Sequence, residues 1–136
     1  MNNDLVVGLL NEHSIAIRYA QKFGFQQMKM DIFDDFDFTM CRNGKVYQWL
    51  EIKVRDCNSF DFKDTMVPIR KVIKGLDIIR KGGNAFLLIQ WKDKTGMLNF
   101  TKPFSRIDIG GRVDRGVNET QPYAYYKVSD FEEVEL

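Results

Sequence analysis

Histidine and cysteine are nearly missing from this 136-residue chain, which has one His and two Cys. Zinc sites draw on closely spaced Cys and His ligands, and His13, Cys41 and Cys57 are too few and too scattered to supply one. Catalytic triads built on imidazole are equally short of parts. His13, on the apolar side of a helical segment, reads as a packing residue. The two cysteines read as reduced thiols. Long apolar runs are also lacking: nothing approaches the roughly 18–20 residues that span a bilayer. Met1-Asn2-Asn3-Asp4 has neither the basic start nor the cleavage site of a secretory signal. A cytoplasmic protein without a membrane partner is expected. Charge of one sign is absent too, the formal net charge being +1. A polyanionic partner would therefore need a local basic surface and not a global field. No internal repeat or low-complexity linker stands out. If the chain is an enzyme, carboxylates and lysines must do its chemistry.

What is present suits one ordinary domain covering 1–136, with a core over about 3–100 and an extension over 101–136. The apolar share is 44% and includes eleven Phe, enough for a substantial core. Leu5, Val6, Leu9, Leu10, Ala16, Ile17 and Ala20 recur at helical spacing, predicting a helix over 3–22 that Gly24 ends. A short strand can follow over 25–30. Apolar alternation on both sides of Arg42-Asn43-Gly44 then marks a β-hairpin, 32–41 against 45–54. After a polar connection over 56–64, a second helix is expected over 67–81. Pro68 would sit in its first turn, Ile69, Val72, Ile73, Leu76 and Ile79 would be its buried stripe, and Gly82-Gly83 would stop it. Ala85 to Trp91 is a continuous apolar run, as in a strand buried on both faces. Residues 97–100 read as its neighbour, and a further strand is expected over 123–128.

Strand side chains alternate between faces, so the register of the hairpin decides which residues meet. Val46, Leu50, Ile52 and Val54 fall on one face of the second strand; Tyr47, Trp49, Glu51 and Lys53 fall on the other. A two-residue Asn43-Gly44 loop would set Phe36 against Glu51, a carboxylate against the core. A three-residue Arg42-Asn43-Gly44 loop pairs Asp35 with Glu51 and Phe36 with Leu50. That register gathers Asp35, Asp37, Glu51 and Lys53 on one face. Facing carboxylates repel unless neutralised, and a hard divalent cation such as Mg²⁺ or Mn²⁺ prefers oxygen ligands of this kind. A lysine two residues beyond Glu51 lies about 6.5–7 Å further along the same face. There it can orient water or stabilise charge developing on a phosphate. The set is complete for cutting a phosphodiester bond without histidine.

Asp37-Phe38, the Asn43-Gly44 turn and Glu51-Ile52-Lys53 resemble the PD-(D/E)XK nuclease superfamily, which includes Holliday-junction resolvases, many restriction enzymes and phage recombination nucleases. The resemblance implies an α/β fold with a restriction-endonuclease-like core. That core is a central mixed β-sheet flanked by helices, in the order helix–strand–strand–strand–helix–strand, and it would cover 3–91. The first half of the motif departs from the family, since no Pro precedes Asp31, Asp34, Asp35 or Asp37. Register favours Asp35 as the partner of Glu51, whereas similarity favours Asp37, and both are carried as metal ligands. The resemblance further implies Glu12 on the first helix as an additional ligand. It implies Arg70, Lys71 and Lys74 on the second helix, with Arg112 in the Gly110–Gly116 stretch, as groups facing the site and its nucleic acid.

The implied activity is that of a Mg²⁺- or Mn²⁺-dependent endonuclease on DNA, structure-selective or weakly sequence-specific, with a homodimer as one arrangement. An inactive nuclease-like subunit that binds nucleic acid or protein is the alternative, and a phosphodiesterase acting on RNA is a third. The plain reading of the charged face is a solvated sheet surface with a cross-strand ion pair, worth ~0–1 kcal/mol. Tyr47 and Trp49 on the same strand face argue against it.

Overall fold

The computed structural model describes residues 3–29, 36–110 and 121–136. Helix α1 (Asn3–Phe23) is followed by Gly24, whose φ of 72° only glycine takes up without strain, and the chain turns into β1 (Gln26–Lys29). Strands β2 (Phe38–Arg42) and β3 (Lys45–Val54) form the hairpin. Next come β4 (Asp64–Pro68), α2 (Ile69–Arg80), β5 (Ala85–Gln90), β6 (Thr95–Asn99), β7 (Arg106–Gly110) and β8 (Gln121–Lys127). A 3₁₀ turn and the short β9 (Glu132–Glu133) complete the described chain.

Two sheets result. The larger runs β1-β2-β3-β5-β6-β9 and is mixed, because β3 and β5 are parallel while the other neighbours are antiparallel. Helix α2 lies in the crossover from β3 to β5, the connection a parallel pair requires. The smaller sheet, β4-β8-β7, is antiparallel. On one face of the large sheet Ile15, Ala16, Tyr19 and Ala20 of α1 pack on Phe38, Met40, Leu50, Ile52 and Leu88. On the other, Val72 and Ile78 of α2 pack with Ala85, Leu87, Ile89 and Leu98, joined by Ala124 and Tyr126 of β8. Adjacent residues Leu87 and Leu88 thus serve opposite cores, as expected of a doubly buried strand. Each such side chain contributes about 1.5–3 kcal/mol of burial.

The hairpin differs from expectation in an informative way. Arg42 pairs with Lys45 across a two-residue turn in which both Asn43 (φ 50°) and Gly44 (φ 76°) are left-handed. That is the type I′ geometry suited to strand twist. A bulge between Met40 and Cys41 then shifts the ladder by one residue, so Phe38 pairs with Leu50. The three-residue loop, with Phe36 opposite Leu50 and Asp35 opposite Glu51, does not form. The bulge restores the facing that a regular two-residue hairpin would have lost. Continued one step, this register sets Asp37 opposite Glu51. Phe36 packs on the α2 side against Phe100, with ring centroids 5.5 Å apart. Tyr47, at the bulge, leans on Phe25 at 6.3 Å and leaves the Glu51 face.

Two other expectations change. The polar connection after β3 ends in β4, so Pro68 closes a strand and the helix begins at Ile69. The buried side of α2 is Lys71, Val72, Gly75 and Ile78, while Ile73 and Leu76 are exposed. The reason is contact distance: the Phe100 ring sits so close to Gly75 that a Cβ there would lie 2.9 Å from it. The helix turns this narrow side inward, and the bulkier Ile73 and Leu76 turn out. Among the described residues no helix is long and apolar enough to cross a membrane.

Candidate active site

Strand β3 places Leu50 and Ile52 toward α1, and so directs Glu51 the other way, beneath α2. There Glu51 is wholly buried. The first turn of α2 brings Lys71, also buried, to donate from Nζ to Glu51 Oε2 at 3.1 Å. Lys53, two residues along the same face and partly exposed, holds its Nζ 3.6 Å from Oε1. Asp37, just before β2, accepts at Oδ2 from the Ile52 backbone N–H at 3.3 Å, tying its carboxylate to the segment that carries Glu51. Burial pushes the Glu51 carboxyl up to about 7, and the Asp37 charge adds to the rise; Lys53 and Lys71 oppose it. Glu51 Oε1 remains buried without a hydrogen-bond partner.

A buried carboxylate oxygen with no donor is costly, and a cation is one way to satisfy it. Asp37 and Glu51 are oxygen donors of the kind Mg²⁺ takes, usually one or two carboxylates with the remaining positions left to water and phosphate. The donor set therefore fits a hard divalent ion. Among the described residues no group of three or more His, Cys, Asp or Glu side chains converges. Glu12, half-buried on α1, is accordingly not gathered with Asp37 and Glu51. Arg70 is exposed beside Lys71, and Lys74 is half-buried one turn later. Asp31, Asp34, Asp35 and Arg112 lie outside the described residues. His13 packs edge-on against Phe38 at 5.8 Å, and both cysteines are free.

A family model described as "Phage putative PDDEXK endonuclease" matches residues 9–134. The chain belongs to this family. The chain is also similar to a solved structure from Archaeoglobus fulgidus, that of Hjc, "a Holliday junction resolvase from an archaeal hyperthermophile". The two share 12% identity over 90% of each chain, with a TM-score of 0.58, a likeness of fold. No curated protein matches. The expected fold class, a restriction-endonuclease-like mixed sheet flanked by helices, is the one observed.

One member of the site face went unread in the sequence. The period of two that links Glu51 and Lys53 continues to Arg55, whose guanidinium donates to the Met66 carbonyl at 3.1 Å. The alternation carried that signal. The depth of Glu51 had none, and the family resemblance that named Arg70, Lys71 and Lys74 did not say which of them bonds Glu51, because both depend on where α2 crosses the sheet.

Proposed function

We propose that this chain is an endonuclease that cuts DNA with the help of Mg²⁺ or Mn²⁺, with structural selectivity or weak sequence preference. The observation that carries the reading is the buried Oε1 of Glu51, which accepts no hydrogen bond and has the Lys53 ammonium 3.6 Å away, with Asp37 across the hairpin. Asp37 and Glu51 would hold the ion. When bound, such an ion polarises the scissile phosphate and lowers the pKa of the attacking water. Lys71 fixes Oε2 and favours the ionised form of Glu51, leaving Oε1 for a ligand. Lys53, the more exposed of the two lysines, is placed to orient the nucleophilic water or to donate to a phosphate oxygen as charge builds there. Arg70 and Lys74 on α2 would hold flanking phosphates, with Arg112 as a further candidate. A homodimer would bring two such centres to the two strands of one duplex.

Nicking of supercoiled plasmid tests the reading. Wild type converts the plasmid in Mg²⁺ and not in EDTA, and Lys53→Ala loses at least about a hundredfold in rate, the scale of a lost transition-state donor. Wild type no faster than Lys53→Ala would leave the alternative of an inactive binding subunit.

A further inference from the structure

Beyond Arg55 the chain forms a loop that presents Phe60 and Phe62 to solvent, 75% and 67% exposed. The loop is anchored. Asp93 accepts from the Ser59 backbone at 2.7 Å and from its hydroxyl at 2.6 Å, and Lys92 N–H donates to the Cys57 carbonyl at 3.0 Å. Two concavities meet at Phe62. One, of about 340 Å³, is walled by Arg55, Phe62, Trp91 and Tyr125. The other, a groove of about 540 Å³, is lined by Phe60, Phe62, Phe131, Lys63, Lys94 and Lys127. No close ion pair among the described residues claims these three lysines, although Lys94 acts on the neighbouring Asp93 carboxylate, Lys92 is paired with Asp56 and Arg106 faces Asp64 at 4.0 Å. Asp64 also lines both concavities, turned toward that arginine.

Exposed aromatics on an anchored loop, with lysines beside them, match what binds unpaired nucleotides, with bases stacked on rings and phosphates met by ammonium groups. A duplex buries its base faces and cannot use Phe60 or Phe62 this way. The smaller cavity is near the lower end for organic ligands, with room for one nucleobase. Its position matters as much as its chemistry. Arg55 lies four residues past Glu51 on the same strand face, roughly 13 Å along, so a strand leaving the site would reach the cavity directly.

We propose that this aromatic and basic groove holds an unpaired DNA segment next to the cleavage site, so that duplexes with single-stranded branches or tails are the preferred substrate class. The inference deepens the nuclease reading, but its test needs no cleavage. In EDTA, fluorescence anisotropy of the full chain would compare a blunt duplex with the same duplex bearing a single-stranded thymidine tail. The tail should tighten binding about tenfold. Phe62→Ala should abolish that gain while blunt-duplex affinity stays the same, and Lys127→Gln should reduce both the gain and its salt dependence. A 2-aminopurine in the tail should be quenched by wild type and not by Phe62→Ala. Equal affinity for the two DNAs, or a preference that survives both Phe60→Ala and Phe62→Ala, overturns the proposal. Tail preference without Mg²⁺-dependent nicking would refute the nuclease reading and leave the groove standing; nicking without tail preference would do the reverse.

Discussion

A carboxylate at the bottom of a sheet gives up its hydration, and Glu51 shows the consequence in its protonation. Its carboxyl is raised to about 7 in the folded chain against 4.5 ordinarily. Between those values the folded state keeps a proton that the unfolded state has released. The Glu51 contribution is therefore fully present below about pH 4.5 and lost as pH rises toward 7, by about 3 kcal/mol at most. Denaturation of wild type and Glu51→Gln in EDTA across this range should show the difference moving against wild type as pH rises; a flat difference would contradict the assignment. Protons and cations compete for the same oxygen, so Mn²⁺ should raise the melting temperature of wild type more at pH 8 than at pH 5. Lys71→Ala removes a group that favours the ionised Glu51, so the carboxyl keeps its proton to higher pH; the variant should be destabilised more at pH 8 than at pH 5, by about 1–3 kcal/mol for the lost charged hydrogen bond, read by urea unfolding. That Glu51 and Lys53 share a face was legible from strand alternation alone. That Glu51 is wholly buried was not, and Lys71 was named only with Arg70 and Lys74 through the family resemblance, because no local pattern records which helix covers a strand or which of its side chains points inward.

At the level of elements, the hairpin carries the clearest lesson. Asn43-Gly44 announced a turn, and the gathering of carboxylate and lysine on one face was legible, yet register was reached through a bulge at Met40/Cys41 that leaves no mark in composition. Asp37 takes the place opposite Glu51 for that reason, two residues from where a bulge-free three-residue loop would put its partner. Helix α2 was legible as a helix, but its apolar count pointed to Ile73 and Leu76, whereas close approach to Phe100 selects Gly75. Gly75→Ala adds a methyl where no space exists and should cost about 1–3 kcal/mol despite better helix propensity, measured by chemical denaturation. An unchanged or raised stability would mean that the helix does not lie this close. Strand β4 was missed because its pairing partner, β8, lies near the other end of the chain.

Across the whole molecule, the late segments are structural members. Ala124 and Tyr126 of β8 are buried in the α2-side core, and β9 completes the large sheet beside β6. A chain shortened to residues 1–102 should lose cooperative thermal unfolding, although an appendage reading of 101–136 would leave it intact. The sheet order brings hairpin, crossover helix and parallel strand together around one carboxylate, which is why Asp37, Lys53 and Lys71 from three places in the sequence act on Glu51. The most direct test of that convergence is a crystal of the wild-type chain soaked in Mn²⁺ near pH 8, examined at a wavelength where manganese scatters anomalously. The account predicts a peak within coordination distance of both the Glu51 and Asp37 carboxylates, with Lys53 beside it; saturating Mn²⁺ that leaves Glu51 without a peak, or that binds only elsewhere, would contradict it.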